Sequence, residues 1–298
     1  GIGPGDEVIV PALTATFTAL AVSMTGATPV FTDVDLARYT LDPAAFEAAI
    51  TPRTAAVIAV HLYGCPADMA PLVAIARQHH LLVVEDAAQA HGARYQGARV
   101  GGLGDIAAFS FYPSKNLGAY GDAGAVVTDD EALAEKVRML RHGGQRGTYE
   151  HELLGINSRL DEIQAAILRT KLPHLDAWNE RRRSIAARYN ANLGACGQCT
   201  PPAAPGDVEH VYHLYVLRSR TRDKLRDYLA GTGIATGIHY PQGVHLQPAY
   251  APLGYAPGSC PQAERASSEV LSLPLFPQLS EREIEKVIRL VRFFFAMR

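Results

Sequence analysis

Short apolar runs alternate with stretches of helical period through the first half of the chain. Val8-Ile9-Val10, Pro29-Val30-Phe31, Ala56 to His61, Leu81 to Val84, Ala107 to Phe111 and Ala125-Val126-Val127 are compact apolar segments bounded by polar or turn residues, the pattern of buried strands. Between them Met69, Leu72, Val73 and Ala76 recur at helical spacing, as do Leu133, Val137 and Leu140, so each helix presents one apolar stripe. Strands alternating with one-striped helices predict a doubly wound α/β unit with a mostly parallel sheet. From 158 to 193 the pattern becomes a long helix with Leu160, Ile163 and Ile167 on one face. It is interrupted at Pro173, which lacks a backbone donor and clashes with the preceding turn, and resumes through Trp178 to Leu193. Beyond the proline-rich segment 200–205, His210 to Val216 alternates as a strand, a helix is expected over 222–230, and Glu281 to Phe295 forms a closing helix. The expected organisation is a large α/β domain over 1–172, followed by a linking helix and a smaller α+β domain over 173–298.

Composition narrows the classes. Of 298 residues, 48% are hydrophobic and 19% charged, a balance that supports a sizeable core and leaves little room for long disordered tracts. The 28 basic residues nearly match the 30 acidic ones, for a net charge of −2, so there is no field to hold a nucleic acid or an anionic membrane. No apolar run approaches the roughly 20 residues that cross a bilayer. The opening Gly-Ile-Gly-Pro-Gly-Asp-Glu has neither the basic nor the apolar region of a secretory signal. A cytoplasmic protein with no nucleic-acid or membrane partner is expected. Four cysteines are too few for a disulfide framework, and Cys196-Gly-Gln-Cys199, with no second ligand pair, reads as an incidental loop pair; no metal is expected.

In open α/β sheets ligands bind beyond the carboxyl ends of the strands. The run Leu81 to Val84 is followed by Glu85, Asp86, Gln89 and His91, which puts two carboxylates, an amide and an imidazole at one strand end. A helix cap would account for an Asp there, but not for Gln89 and His91 as well. The next strand runs through Phe109-Ser110-Phe111 to Lys115, followed by Gly118, Gly121 and Gly124. A lysine among aromatic and small residues is partly desolvated, which lowers its pKa and frees the amine to react with an aldehyde. Asp at one strand end with Ser and Lys at the next is the arrangement a pyridoxal phosphate site requires. The carboxylate keeps the pyridine nitrogen protonated and the lysine bonds the cofactor aldehyde. Other motifs weigh less. Gly101-Gly-Leu-Gly104 precedes a strand and reads as a turn, not a dinucleotide loop. His210 and His213 would point to opposite faces of a strand, His79-His80 ends a helix, and Arg181-Arg182-Arg183 reads as a solvated helix face.

The segments VEDAAQAHGA (Val84 to Ala93), GDIAAFSFYPSKNLGAYGDAGAVVT (Gly104 to Thr128), GINSRLDEIQAAIL (Gly155 to Leu168), HVYHLYV (His210 to Val216) and HYP (His239 to Pro241) follow one another in the order seen in a known family. The chain resembles the DegT/DnrJ/StrS sugar aminotransferases, pyridoxal phosphate enzymes of aspartate-aminotransferase type. The resemblance implies a three-layer PLP-dependent transferase large domain with a smaller carboxy-terminal domain. It implies that Lys115 carries the cofactor covalently, Asp86 pairs with the pyridine nitrogen, Gln89 contacts the ring hydroxyl, Ser110 binds phosphate and Phe17 stacks on the ring. Asn157 would cross a dimer interface to the partner's cofactor phosphate, making a homodimer with shared active sites. His239, Tyr240 and His245 would lie nearest the substrate. The implied reaction moves an amino group from L-glutamate to a nucleotide-linked ketosugar, at C3 of a dTDP-3-keto-6-deoxyhexose, in deoxyaminosugar biosynthesis. A C4 ketosugar or an inosose is the alternative acceptor, and a catalytically silent relative that binds cofactor or nucleotide sugar is the alternative of another class. The family's Ser-Gly-Thr phosphate turn precedes the segment equivalent to Gly1, so residues upstream of Gly1 are expected to complete the phosphate cup. Lys115 separates the chain from related dehydratases that carry histidine there.

Overall fold

A computed structural model describes residues 1–194, 197–203 and 205–297; Cys196 of the Cys-x-x-Cys pair lies outside them. The first part contains strands β1 (Glu7–Pro11), β2 (Thr28–Thr32), β3 (Val34–Asp35), β4 (Thr40–Leu41), β5 (Thr54–Val60), β6 (Leu82–Asp86), β7 (Arg94–Tyr95), β8 (Ala98–Arg99), β9 (Ile106–Ser110) and β10 (Gly124–Val127). Helices α1 (Thr16–Met24), α2 (Pro43–Ala48), α3 (Met69–Gln78) and α4 (Glu131–Leu140) connect or follow them. Six strands form the main sheet in the order β10-β9-β6-β5-β1-β2. All pairs are parallel except β9 with β10. The six apolar runs of the sequence are these six strands. Alternation along β5 explains why a parallel strand reads as continuously apolar. Val57 and Ala59 pack with Phe46, Met69 and Leu72 beneath α2 and α3, while Ala56, Ile58 and Val60 pack with Ala19 and Val22 of α1 and with Val244 and Ala263 from the far end of the chain.

Helix α5 (Glu162–Lys171) and helix α6 (Leu175–Leu193) meet at a 3-10 turn over Leu172–His174, so Pro173 breaks the long helix where its geometry requires. The remainder comprises β11 (Val208–Glu209), β12 (Tyr215–Arg218), α7 (Arg222–Gly231), α8 (Pro261–Glu269), β13 (Val270–Leu273) and α9 (Glu281–Ala296). Antiparallel β12 and β13 are covered by α6, α7 and α9 through Ile185, Tyr189, Leu225, Leu229, Ile284 and Val291. A capping box between Ser280 and Glu283 starts α9, satisfying amides that the first turn leaves open. No helix among the described residues is long and apolar enough to cross a membrane.

The expected strand over 210–216 is a correction. Only its end belongs to β12. Tyr212 adopts φ 43°, its N–H donates to Nδ1 of His210, and the N–H groups of Val211 and Leu214 donate to the carbonyls of Gly64 and Tyr63. The apolar alternation here serves docking onto a loop, and that loop takes the backbone bonds a strand would give to a ladder.

Candidate active site

Strand period two sends neighbouring side chains to opposite faces, and this divides the two carboxylates at the end of β6. Glu85 points into the sheet's interior and is fully buried. It accepts from Nε2 of His61 at 3.0 Å and from the N–H groups of Gly101, Leu103 and Gly104 at 2.7–2.8 Å. Burial alone would raise the Glu85 carboxyl, but the His61 bond and charge, with the Gly101 and Gly104 amides, hold it below its ordinary range. The Gly101-Gly-Leu-Gly104 turn is thus a cradle for a carboxylate that braces the strand. Asp86 faces the other way. Its Oδ2 accepts from the Thr18 hydroxyl at 2.7 Å, its Oδ1 from the Ala88 N–H at 3.1 Å, and Thr18 in turn bonds Thr14 at 3.1 Å.

Asp86 lies opposite Ala108 of the adjoining β9, so the chain beyond Ser110 enters the space in front of that carboxylate. There the loop from Pro113 to Gly118 folds so tightly that a Cβ on Gly118 would stand 2.4 Å from the Pro113 carbonyl oxygen, which restricts the position to glycine. Lys115, on this loop, is half-buried. Burial pushes its amine below the ordinary lysine value, and the charge of Asp86 opposes part of that shift. Three imidazoles surround the same space. His91, packed against the rings of Phe109 and Phe111 at 5.4 and 5.6 Å, is pushed down to about 4 by burial, with Lys115 adding to it. His213 is driven well below its ordinary value by burial and then by Lys115, and His239 is lowered by the same two causes. Burial favours the uncharged form of each, and among the described residues the charges these elements bring toward Lys115 are Asp86 and, beyond His213, Arg182.

Gln89, buried, accepts from the Tyr63 N–H at 2.6 Å and donates to the Tyr240 hydroxyl at 3.3 Å. The Tyr63 hydroxyl donates to the His239 carbonyl, and His239 Nδ1 bonds Ser272 at 2.8 Å. Gln89, His239 and Tyr240 therefore come together on one side of the site, beside Tyr63 and Ser272. Ser110 Oγ accepts from the Tyr112 N–H at 3.3 Å, which leaves its proton to donate outward. Phe17 stands 80% exposed beside Thr18 on the first turn of α1. His245 is elsewhere: 1% exposed, it bonds Glu264 at 3.1 Å. Asn157 is exposed, and its Oδ1 accepts from Arg159 at 3.2 Å. It lines a cleft of about 1060 Å³ with Phe109, Gly124, Val126 and Arg141 that includes none of Asp86, Gln89 and Lys115.

Arg182 corrects the reading of the arginine run. Arg181 and Arg183 pair with Glu281 and Glu180 at the surface, whereas Arg182 is 7% exposed and donates to the carbonyls of Tyr212, His213 and Leu275. Three residues in succession on a helix span most of a turn, so one of them faces inward. Sequence reasoning also missed Thr14 and Thr18, although their spacing of four at a helix start, just past the end of a sheet strand, is a signal the strand-end rule could have used.

The donor set suits pyridoxal phosphate: an anionic carboxylate for a protonated ring nitrogen, an amine lowered by burial for the aldehyde, an amide for the ring hydroxyl and a free hydroxyl for phosphate. The chain matches the DegT/DnrJ/EryC1/StrS aminotransferase family over residues 1–292. It is 56% identical over 295 residues to the dTDP-3-amino-3,4,6-trideoxy-alpha-D-glucose transaminase of Streptomyces venezuelae, covering 98% of this chain and 77% of that one. Among solved structures, DesV of S. venezuelae in complex with a ketimine intermediate superposes with a TM-score of 0.97 at 53% identity, covering 99% of this chain and 80% of that one. The PLP form of the sugar aminotransferase Spr1654 from Streptococcus pneumoniae superposes with a TM-score of 0.93 at 28% identity, covering 99% and 82%.

Proposed function

The chain belongs to the DegT/DnrJ/EryC1/StrS aminotransferase family, and from that premise we propose that it works as a cytoplasmic homodimer that moves the amino group of L-glutamate to C3 of a dTDP-linked 3-keto-6-deoxyhexose. It is a PLP-dependent transaminase with the fold of the nucleotide-sugar enzymes. The observation that carries the reading is the placement of Lys115 and Asp86 at the ends of adjoining strands, close enough for the Asp86 charge to act on the lysine amine. When bound, pyridoxal phosphate supplies an electron sink for the electrons left when a Cα–H bond breaks. The chain's own groups do the rest. Asp86, held by Thr18, keeps a negative charge against the ring nitrogen. Lys115 Nζ would move the proton from the donor's Cα to the bound cofactor, which carries the amino group between the two substrates, and would move a proton from the cofactor to C3 of the acceptor in the second half; its lowered pKa makes the uncharged amine more accessible. Gln89 orients the ring hydroxyl, and Ser110 donates to the phosphate. Glutamate leaves as 2-oxoglutarate, and the ketone at C3 becomes an amine.

The C3 assignment is supported by the relative named for a 3-amino sugar. His239 and Tyr240 are proposed to meet the sugar or its nucleotide, while His245, buried and bonded to Glu264, is given no substrate contact. Incubation with isotopically labelled glutamate and the 3-ketosugar nucleotide should give a product whose NMR spectrum places the label on C3; label at C4 moves the enzyme to the other regiochemical class.

The dimer reading rests on Asn157. The cleft that it lines in its own subunit does not include Lys115, and Leu154 and Ile156 beside it are exposed apolar side chains, which suits a surface that another subunit covers. Phe17, also exposed, would lie on the ring. Mixing inactive Lys115→Ala with weakened Asn157→Ala subunits should restore activity through one hybrid site with both residues intact. An active monomer at working concentration contradicts shared sites.

A further inference from the structure

Lys115 is tied down by its neighbour, not by its own amine. Asn116, 5% exposed, sends Nδ2 to Oδ1 of Asn179 at 2.8 Å and to the Val211 carbonyl at 3.0 Å. Its Oδ1 stands 3.2 Å from Nδ1 of His213. An amide oxygen only accepts, so that contact puts the His213 proton on Nδ1. Asn179, 1% exposed on α6, passes its own Nδ2 donation to the His91 carbonyl at 2.8 Å. His91 closes the short segment that begins at Asp86. One α6 side chain, Asn179, therefore spans the loop that carries Lys115 and the loop that follows Asp86, while Asn116 also reaches Val211 and His213. The backbone makes room for it: at Gly92, with φ +82°, a Cβ would stand 2.9 Å from Asn179 Nδ2.

Asn116 and Asn179 join three segments that must hold fixed relative positions for an amine and a carboxylate to act on one ring, and neither is part of the donor set assigned to the cofactor. We propose that Asn116 and Asn179 are positioning residues that keep Lys115 in register with Asp86 and fix the Nδ1–H form of His213 beside the lysine loop. The proposal rests on Lys115 as the cofactor lysine. Removing Asn179 takes the partner from one Asn116 N–H and from the His91 carbonyl and lets the lysine loop shift, which affects a step that depends on near-ångström placement more than it affects ground-state binding.

The test uses the PLP-loaded enzyme and the variants Asn179→Ala, Asn179→Asp and Asn116→Asp, with kcat, KM and the pH dependence of the visible cofactor band measured for each. The groups facing the lysine are Asp86, His91, His213 and His239, with Arg182 beyond His213; Asn179→Ala changes none of them and adds no charge, so in that variant a moved band midpoint reports a moved lysine, and the two Asp variants are read by kcat and KM alone. Asn179→Ala should lower kcat about tenfold or more, leave KM within about twofold and move the band midpoint by about half a pH unit. Asn179→Asp still accepts from Asn116 but no longer donates to His91, and should fall between wild type and Asn179→Ala. Asn116→Asp keeps the His213 contact, loses both donations, and serves as the second variant if Asn179→Ala does not fold. Variants that hold cofactor with kcat unchanged, and in Asn179→Ala with the band midpoint unchanged as well, overturn the proposal. Failure of the underlying assignment shows separately, as cofactor attached to another lysine in the wild-type enzyme.

Discussion

Replacing Lys115 with alanine should lower transamination by at least about a thousandfold while leaving the fold intact. The amine has no hydrogen-bond partner among the described residues, and its loop is held by Asn116, by the Gly118 turn and by Lys171, which donates to the Gly118 carbonyl at 2.7 Å. Deleting the side chain past Cβ therefore breaks no contact that supports the structure, and it relieves the cost of a half-buried cation. Catalysis loses both the group that bonds the cofactor and the group that carries the proton. An added small primary amine, able to enter the space the side chain vacates, should restore a measurable fraction of the rate. Thermal unfolding unchanged within a few degrees, together with loss of turnover and rescue by the amine, is the expected set of results; a variant that retains more than a few per cent of wild-type turnover without added amine removes Lys115 from the chemistry.

Asp86→Asn should cost turnover on the order of a hundredfold to a thousandfold, the usual scale for one group aimed at developing charge. The substitution keeps an oxygen that can accept from Thr18 or from the Ala88 amide, where Asp86 now accepts at 2.7 and 3.1 Å, so the local structure survives. What disappears is the negative charge that favours a protonated ring nitrogen and that opposes the fall in the Lys115 amine. Without it the amine should titrate lower still, which makes the sign testable: the pH profile of Asp86→Asn moves to lower pH as well as to lower height. Thr18→Val, which leaves the charge but releases one carboxylate oxygen, should cost far less, about tenfold or under. Near-normal turnover in Asp86→Asn contradicts the role given to its charge.

Periodicity carried the sheet well because its central strands β1 and β5 are buried on both faces and appear as apolar runs, and the partly exposed β9 and β10 keep the same apolar composition. The same signal misled at 210–216. There the apolar side chains are real core residues, with Val211 and Tyr215 fully buried, but the backbone between them turns through Tyr212 to dock on Tyr63 and Gly64. Hydropathy reports burial and is silent on where a backbone N–H goes. Glu85 and Asp86 illustrate the same limit at the site. Adjacent in sequence and alike in chemistry, they separate only when strand alternation sends one to the glycine cradle and the other toward Lys115. Arg182 separates from its two neighbours by helix phase in the same manner. Lys115, Asp86, Gln89 and Ser110 were legible because they lie within a few residues of strand ends. Thr18, Tyr63, Asn116, Asn179 and His213 act through contacts between segments distant along the chain, such as the 63-residue separation of Asn116 and Asn179, and no local pattern encodes those.

The most direct measurement is reduction of the PLP-loaded enzyme with borohydride, which makes the lysine bond permanent, followed by peptide mapping. The account predicts one modified peptide, with the label on Lys115 and none on Lys136, Lys171, Lys224 or Lys286. Label on any of those four, or a cofactor that washes away after reduction, contradicts it.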